Sequence, residues 1–299
     1  MKYGSLSRGL LNLWALYILC AIDAHAAISV KDDFGNTVTL QKPARRIISM
    51  APHVTELLFA AGGGDRIVGT VSYSDYPEAA KKLPQIGDNL DVDLERIIAM
   101  KPDLVVVWRY THTDKQDDLL RRLGVPLFYS ESHKLIEIPD SVRRLGVLMG
   151  TEAVANKAAD NLQQKLAALT DKYAHRAPVR LFYQVWDKPL YTLNGQHIVS
   201  DAIRVCGGVN IFADMKVTAP NVGIEAVLQE DPEAIIGTDE KNPSDGGVTM
   251  WKRYPLMTAV KRNNLFLVDG NLLNRAGPRM IDGTAELCDR LDMARSRRK

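Results

Sequence analysis

The stretch "TEAVANKAADNLQQKLAALTDKYAHRA", Thr151 to Ala177, holds neither glycine nor proline and is rich in alanine, leucine and lysine. Such a composition favours one uninterrupted helix. Ala155, Ala158, Ala159, Leu162, Leu166, Leu169 and Tyr173 recur at helical spacing and define a single apolar face. Thr151 as N-cap and Pro178 just beyond the end set its boundaries. At 1.5 Å per residue the helix runs roughly 35 Å, about the width of a small domain. It lies mid-chain, so whatever precedes and follows it forms two bodies joined by a rod.

Both flanks read as α/β. "RIISM" (Arg46 to Met50), "DRIVG", "DLVVVW" (Asp103 to Trp108) and "VPLFYS" (Val125 to Ser130) are short β-branched runs separated by helical patterns at Thr55–Ala61, Leu94–Met100 and Lys115–Leu123. After the long helix the alternation restarts with "VRLFYQVW", a helix near Ser200 to Cys206, "EAIIG" and "NLFLVDG". The expected architecture is two Rossmann-like α/β lobes, residues 27–150 and 178–299, bridged by one long helix over 151–177, with a ligand cleft between the lobes.

Residues 1–26 read as a cleavable signal peptide. Lys2 and Arg8 precede the apolar "GLLNLWALYILCAI", and Ala24-His25-Ala26 is a small-x-small cleavage site. That apolar run of about 14 residues is short for a bilayer span. The mature chain is then an exported one, and the 38 basic against 36 acidic residues of the full sequence give no reason to expect nucleic acid. The basic tail "RSRRK" is explained by a solvated or partly disordered end. Cys206 and Cys288 are the cysteines left after the signal, and outside the cytoplasm such a pair favours a disulfide over two buried thiols.

The lobes echo one another. "LERIIAMKPDLVVV" has its counterpart in "IEAVLQEDPEAIIG", with Glu95 matching Glu225, Pro102 matching Pro232 and Asp103 matching Glu233. A glutamate in the first helical turn gains about 0.3–1 kcal/mol from the helix dipole, so helix capping and a functional role are both open for the glutamates. The histidines are scattered, with no metal-ligand spacing, and no metal site or cofactor is expected. "AAGGGDRIVG" follows a helix, whereas phosphate loops precede one, so its glycines read as a helix stop. No nucleophile elbow is present, which argues against an enzyme. Aromatic and charged residues gather instead after strands: Tyr73, Tyr76, Trp108, Arg109 and Tyr110 in the first lobe, Trp186, Tyr191, Arg275 and Arg279 in the second. His53 lies near the expected cleft mouth, with its side chain facing either a ligand or solvent.

"RIISMAPHVTELLFAAG", "VSYSDYPEAAKKLPQIGD", "LERIIAMKPDLVVVW", "VCGGVNIFAD" and "RAGPR" together resemble the cluster A (class III) periplasmic substrate-binding proteins of ABC importers, most closely the cobalamin-binding type. The resemblance implies a monomeric, non-enzymatic periplasmic receptor that binds a corrinoid as cargo and delivers it to the ABC permease of the inner membrane. It implies that Tyr73, Trp108, Tyr191, Trp186, Arg275 and His53 line the ligand site, that Glu95 and Glu225 dock onto the permease, and that Cys206 and Cys288 form the disulfide. Asn89 and Ala219 stand where this type is expected to carry further tryptophans, so Asn89 also belongs to the expected ligand site. Fewer stacking surfaces imply weaker cobalamin binding, a preference for an analogue such as cobinamide, or a different large ligand. The alternatives are an iron-siderophore or haem receptor of the same fold and an exported α/β enzyme acting on a tetrapyrrole.

Overall fold

A computed structural model of the chain describes residues 27–88, 91–109, 114–238 and 247–298. Residues 1–26, the segment read as a signal peptide, and Asn89 and Tyr110 lie outside the described residues. In the first lobe β3 (Ile47–Ser49), β4 (Ile67–Thr70), β5 (Leu104–Val107) and β6 (Leu127–Tyr129) form a parallel sheet in the order β4-β3-β5-β6. In the second, β7 (Val179–Gln184), β10 (Gly208–Asn210), β11 (Ala234–Thr238) and β12 (Leu265–Val268) form another in the order β10-β7-β11-β12. Numbered within each lobe, both orders are second, first, third, fourth. The sequence echo is thus a repeat of topology, and each sheet reverses its winding between its first and third strands. Ligands bind beyond the carboxyl ends of strands at such a switch point.

The rod is α5 (Glu152–Tyr173), 22 residues and therefore about 33 Å long. Ala155, Ala159, Leu166 and Tyr173 are buried along its predicted face, and Leu162 and Leu169 pack beside them. It lies against α4 (Glu137–Met149), where a Cβ on Gly146 would collide with the Ala155 methyl, so the close approach requires glycine. Thr151 holds the N-cap position but makes no side-chain cap; its hydroxyl donates instead to the Ala61 carbonyl at 2.7 Å. That bond ties the rod to the end of α1 (Pro52–Ala60). The helix stops at Tyr173, earlier than the composition predicts, as the chain turns through Arg176 N–H to the Tyr173 carbonyl at 3.1 Å ahead of Pro178.

The tail expectation is corrected. Helix α10 (Met280–Ser296) carries the basic run back onto the second lobe. Arg295 donates to the carbonyls of Ala177 and Cys206 at 2.7 and 2.6 Å, and Arg298 grips the Glu233 carboxylate at 2.8 and 2.9 Å. Unpaired carbonyls and a half-buried carboxylate are strong sinks for guanidinium donors, so Arg295 to Arg298 are anchored rather than solvated. The same lobe holds the Cys206–Cys288 disulfide, closing a separation of 82 residues between α6 (Ile198–Val205) and α10. In the chain-entropy picture a loop of that length stabilises the fold by about 4.5 kcal/mol.

Candidate functional site

The carboxyl ends of the first lobe's strands converge on the space between the lobes. β3 runs out into Pro52 and His53 at the start of α1, β5 delivers Trp108, and the segment after β6 brings His133. After β4 the chain turns at Tyr73, whose φ of 65° is left-handed. The Asp75 N–H closes that turn onto the Tyr73 carbonyl at 3.0 Å. A bulky residue held at positive φ is unusual and needs its surroundings to enforce it; here it leaves Tyr73 73% exposed at the cleft wall. The facing wall comes from Leu193, His197 and Val217 of the second lobe, with Arg275 beside them. The cavity measures about 840 Å³, a size for a large small-molecule ligand.

Tyr73, Trp108, Arg275 and His53 are therefore brought together. Ala219 also lines the cleft, while Tyr191 and Trp186 do not. Tyr191 pairs with Trp186 in the hairpin of β8 (Trp186–Asp187) and β9 (Leu190–Tyr191), and Trp186 borders a separate cavity of about 130 Å³ with Gly237 and Thr238. That cavity sits at the switch point of the second lobe's own sheet. The first lobe turns its switch point to the interlobe cleft, whereas the second lobe offers the cleft its loops.

His53 is the open case of the sequence, and its ring is inside. It is 6% exposed, meets Trp108 edge-to-face at 5.5 Å, hydrogen-bonds to the Ser130 backbone and leaves Nε2 unpartnered. Burial first, and the Arg275 charge after it, pull its pKa down to about 4. His197 is likewise lowered to about 4, by burial and by His133 across the cleft, while its Nδ1 accepts the Val199 N–H at 3.2 Å. Both rings are neutral near pH 7. Because the unfolded chain takes up protons at these sites near pH 6.5 and the folded chain does not, stability falls as pH drops from about 6.5 towards 4. Each histidine then costs about 1 kcal/mol between pH 7 and 5.5. Urea unfolding at the two pH values checks this, and replacing His53 by Gln should remove its share of the slope.

Sequence reasoning missed the ion cluster beneath the cleft. Glu56, on α1, has a side chain only 2% exposed and takes a bidentate grip from Arg279 of the other lobe, at 3.0 and 2.6 Å. Arg275 Nη1 donates to Asp75 at 2.7 Å and lies 3.6 Å from Glu56, while its Nη2 donates to Asn271 at 2.9 Å. The Arg279 guanidinium stacks 3.9 Å over the Tyr76 ring. "SYSDYP" and "RAGPR" are thus clamped together across the lobes. A lone glutamate inside the apolar run "HVTELLFAAG" is the signal that could have revealed it, since a buried carboxylate demands a cation. Among the described residues no cluster of three or more metal-ligating side chains occurs, and no helix is long and apolar enough to cross a membrane.

Two α/β lobes on one rod, with a ligand-sized cleft between them, have the architecture of a binding protein, and the chain belongs to the periplasmic binding protein family, matched over residues 47–272. It is 38% identical over 253 residues to the vitamin B12-binding protein of Vibrio cholerae serotype O1, covering 84% of this chain and 91% of that one. The crystal structure of the periplasmic vitamin B12-binding protein BtuF of Vibrio cholerae matches with a TM-score of 0.78 at 36% identity, over 85% of this chain and 98% of that one. The periplasmic haem-binding protein RhuT from Roseiflexus sp. RS-1 matches with a TM-score of 0.74 at 24% identity, over 84% and 99%, and shares the fold.

Proposed function

We propose that this chain is a periplasmic receptor that captures a corrinoid, cobalamin or a close analogue, and delivers it to an ABC importer of the inner membrane. Its similarity to vitamin B12-binding proteins supports the ligand class. The observation that carries the choice over haem or a ferric siderophore is electrostatic. Arg275 is the only arginine or lysine among the described residues lining the cleft, and its charge is already met by Asp75 and Glu56. The other polar groups at the wall include neutral Gln196, Asn274 and His197 and the carboxylate of Glu131. Such a lining suits a ligand edged with amides and disfavours one edged with carboxylates. Tyr73 and Trp108 supply apolar faces for a broad ring system.

Export follows from removal of residues 1–26 as a signal peptide. The lobes at 27–150 and 178–299 close modestly about the rigid helix rather than swinging wide. Glu95 and Glu225 are the docking charges. In the repeated motif, the acids after proline are consumed by structure: Asp103 accepts the Arg45 and Arg46 N–H groups, and Glu233 pairs with Arg262 and Arg298. Glu95 and Glu225 open their helices exposed, with no ion pair among the described residues.

Titration of the purified mature protein with cyanocobalamin, cobinamide, hemin and a ferric hydroxamate siderophore tests the ligand class. Sub-micromolar binding of a corrinoid is the expected result. Tight binding of hemin or the siderophore with none of either corrinoid would overturn it.

A further inference from the structure

Arg275 is a cation at the wall of a cleft that, on the corrinoid reading above, takes an uncharged ring edge. A guanidinium there would ordinarily recruit carboxylates, because charge-assisted contacts to arginine are among the strongest available to a ligand. This arginine is already committed. Asp75 meets its Nη1 at 2.7 Å, Glu56 stands 3.6 Å from the same nitrogen, and Asn271 takes Nη2 at 2.9 Å. Arg279 is matched by Glu56 at 2.6 Å. Two arginines and two carboxylates therefore cancel within one contiguous cluster.

The carboxylates have unequal access. The Glu56 side chain is 2% exposed beneath the cluster and gives both its oxygens to Arg279, whereas that of Asp75 is half-exposed at the cleft-side loop that also carries Tyr73. Burial opposes the ionisation of Asp75, but the hydrogen bond and charge of Arg275, with the charge of Arg279, outweigh it and hold the carboxyl below its usual range. Asp75 stays ionised at neutral pH and keeps its contact.

We propose that Asp75 is a specificity-determining residue: it occupies Arg275, so that the cleft rejects carboxylate-bearing tetrapyrroles while admitting amide-bearing ones. The same turn that aims Tyr73 at the ligand also delivers this carboxylate across the lobe boundary. Shape selects a large flat ligand, and Asp75 selects its charge.

The test compares wild type with Asp75→Asn, a near-isosteric change at a half-exposed position whose folding is checked by its thermal melt. Three ligands are titrated: cyanocobalamin, hemin with its two propionates, and hemin dimethyl ester, which has the same ring and no carboxylate. The ratio of hemin to cyanocobalamin affinity should rise about tenfold or more in the variant, the scale of one new charge-assisted contact. The ratio for the dimethyl ester should stay within about twofold. Adding Arg275→Gln to Asp75→Asn should abolish the gain. An unchanged hemin ratio in the folded variant, or an equal rise for the ester, overturns the proposal. If wild type fails to bind cyanocobalamin, the corrinoid reading falls by itself, and the hemin-to-ester comparison between the two proteins still decides the role of Asp75.

Discussion

Replacing Glu56 by Ala should cost about 3–5 kcal/mol of unfolding free energy, the range for removing one partner of a buried ion pair. The side chain is 2% exposed and is the acceptor for Arg279 at both oxygens, with Arg275 at 3.6 Å. The substitution strands the Arg279 guanidinium, whose side chain is only 19% exposed, and leaves Arg275 with Asp75 as its remaining acid neighbour. Since the pair spans the lobes, ligand affinity should fall with stability. A double replacement separates the two effects. Glu56→Leu with Arg279→Met leaves no unpaired charge at that pair and should recover most of the stability, because well-packed apolar groups often match a buried ion pair. It should not recover affinity, since "RAGPR" would no longer be registered on α1 and Arg275 would lose one of its acid neighbours. Urea unfolding and cyanocobalamin titration on both variants read the two quantities, and recovery of both together would make the cluster a packing feature only.

The parallel strands were legible because buried strands in an α/β sheet are continuous β-branched runs bounded by turn residues. "LVVV" and "AIIG" could hardly be anything else. Helix α4 was not anticipated, and Pro139 is the reason. Proline inside a pattern signals a break, but here it stands in the first turn of Glu137–Met149, where its missing N–H has no intrahelical partner to lose. The hairpin of β1 (Ile28–Lys31) and β2 (Thr37–Leu40) was also unread: its strands are short, and the turn between them relies on Gly35 at a φ of 80°.

The site divided along the same line. Tyr73 and Trp108 follow directly on strands, so the rule of strand carboxyl ends located them. Trp186 obeys that rule as well and ends at a different cavity, because the lobes share a topology without presenting the same edge to the cleft. Leu193, Val217 and His197 reach the cleft on loops, and no periodicity marks a loop that folds back over an interface. The Glu56–Arg279 pair joins positions 223 residues apart, a separation that only tertiary structure can close.

Charge reversal at Glu95 and Glu225 together should reduce corrinoid uptake by cells to the level of a strain lacking the protein, while cyanocobalamin affinity in solution changes by less than about twofold. The positions are equivalent in the two lobes: each lies in the first turn of a short helix, Leu94–Ala99 (α2) or Ile224–Glu230 (α7), and each is exposed. A pair of like charges presented by one rigid molecule makes a two-point register for a partner carrying opposite charges. Close charge pairs at interfaces couple by about 1.5–7 kcal/mol, and reversal replaces that attraction with repulsion. The variant should still fold, because a lysine in a first turn opposes the helix dipole by only about 0.3–1 kcal/mol at each site. Single reversals should give partial uptake, since one contact remains. Neutral Gln at both positions should fall between wild type and the double reversal, and its deficit should shrink at low ionic strength if residual electrostatic steering persists. Loss of cyanocobalamin affinity in the purified double variant would instead place these glutamates in the ligand site, and normal uptake would remove them from docking altogether.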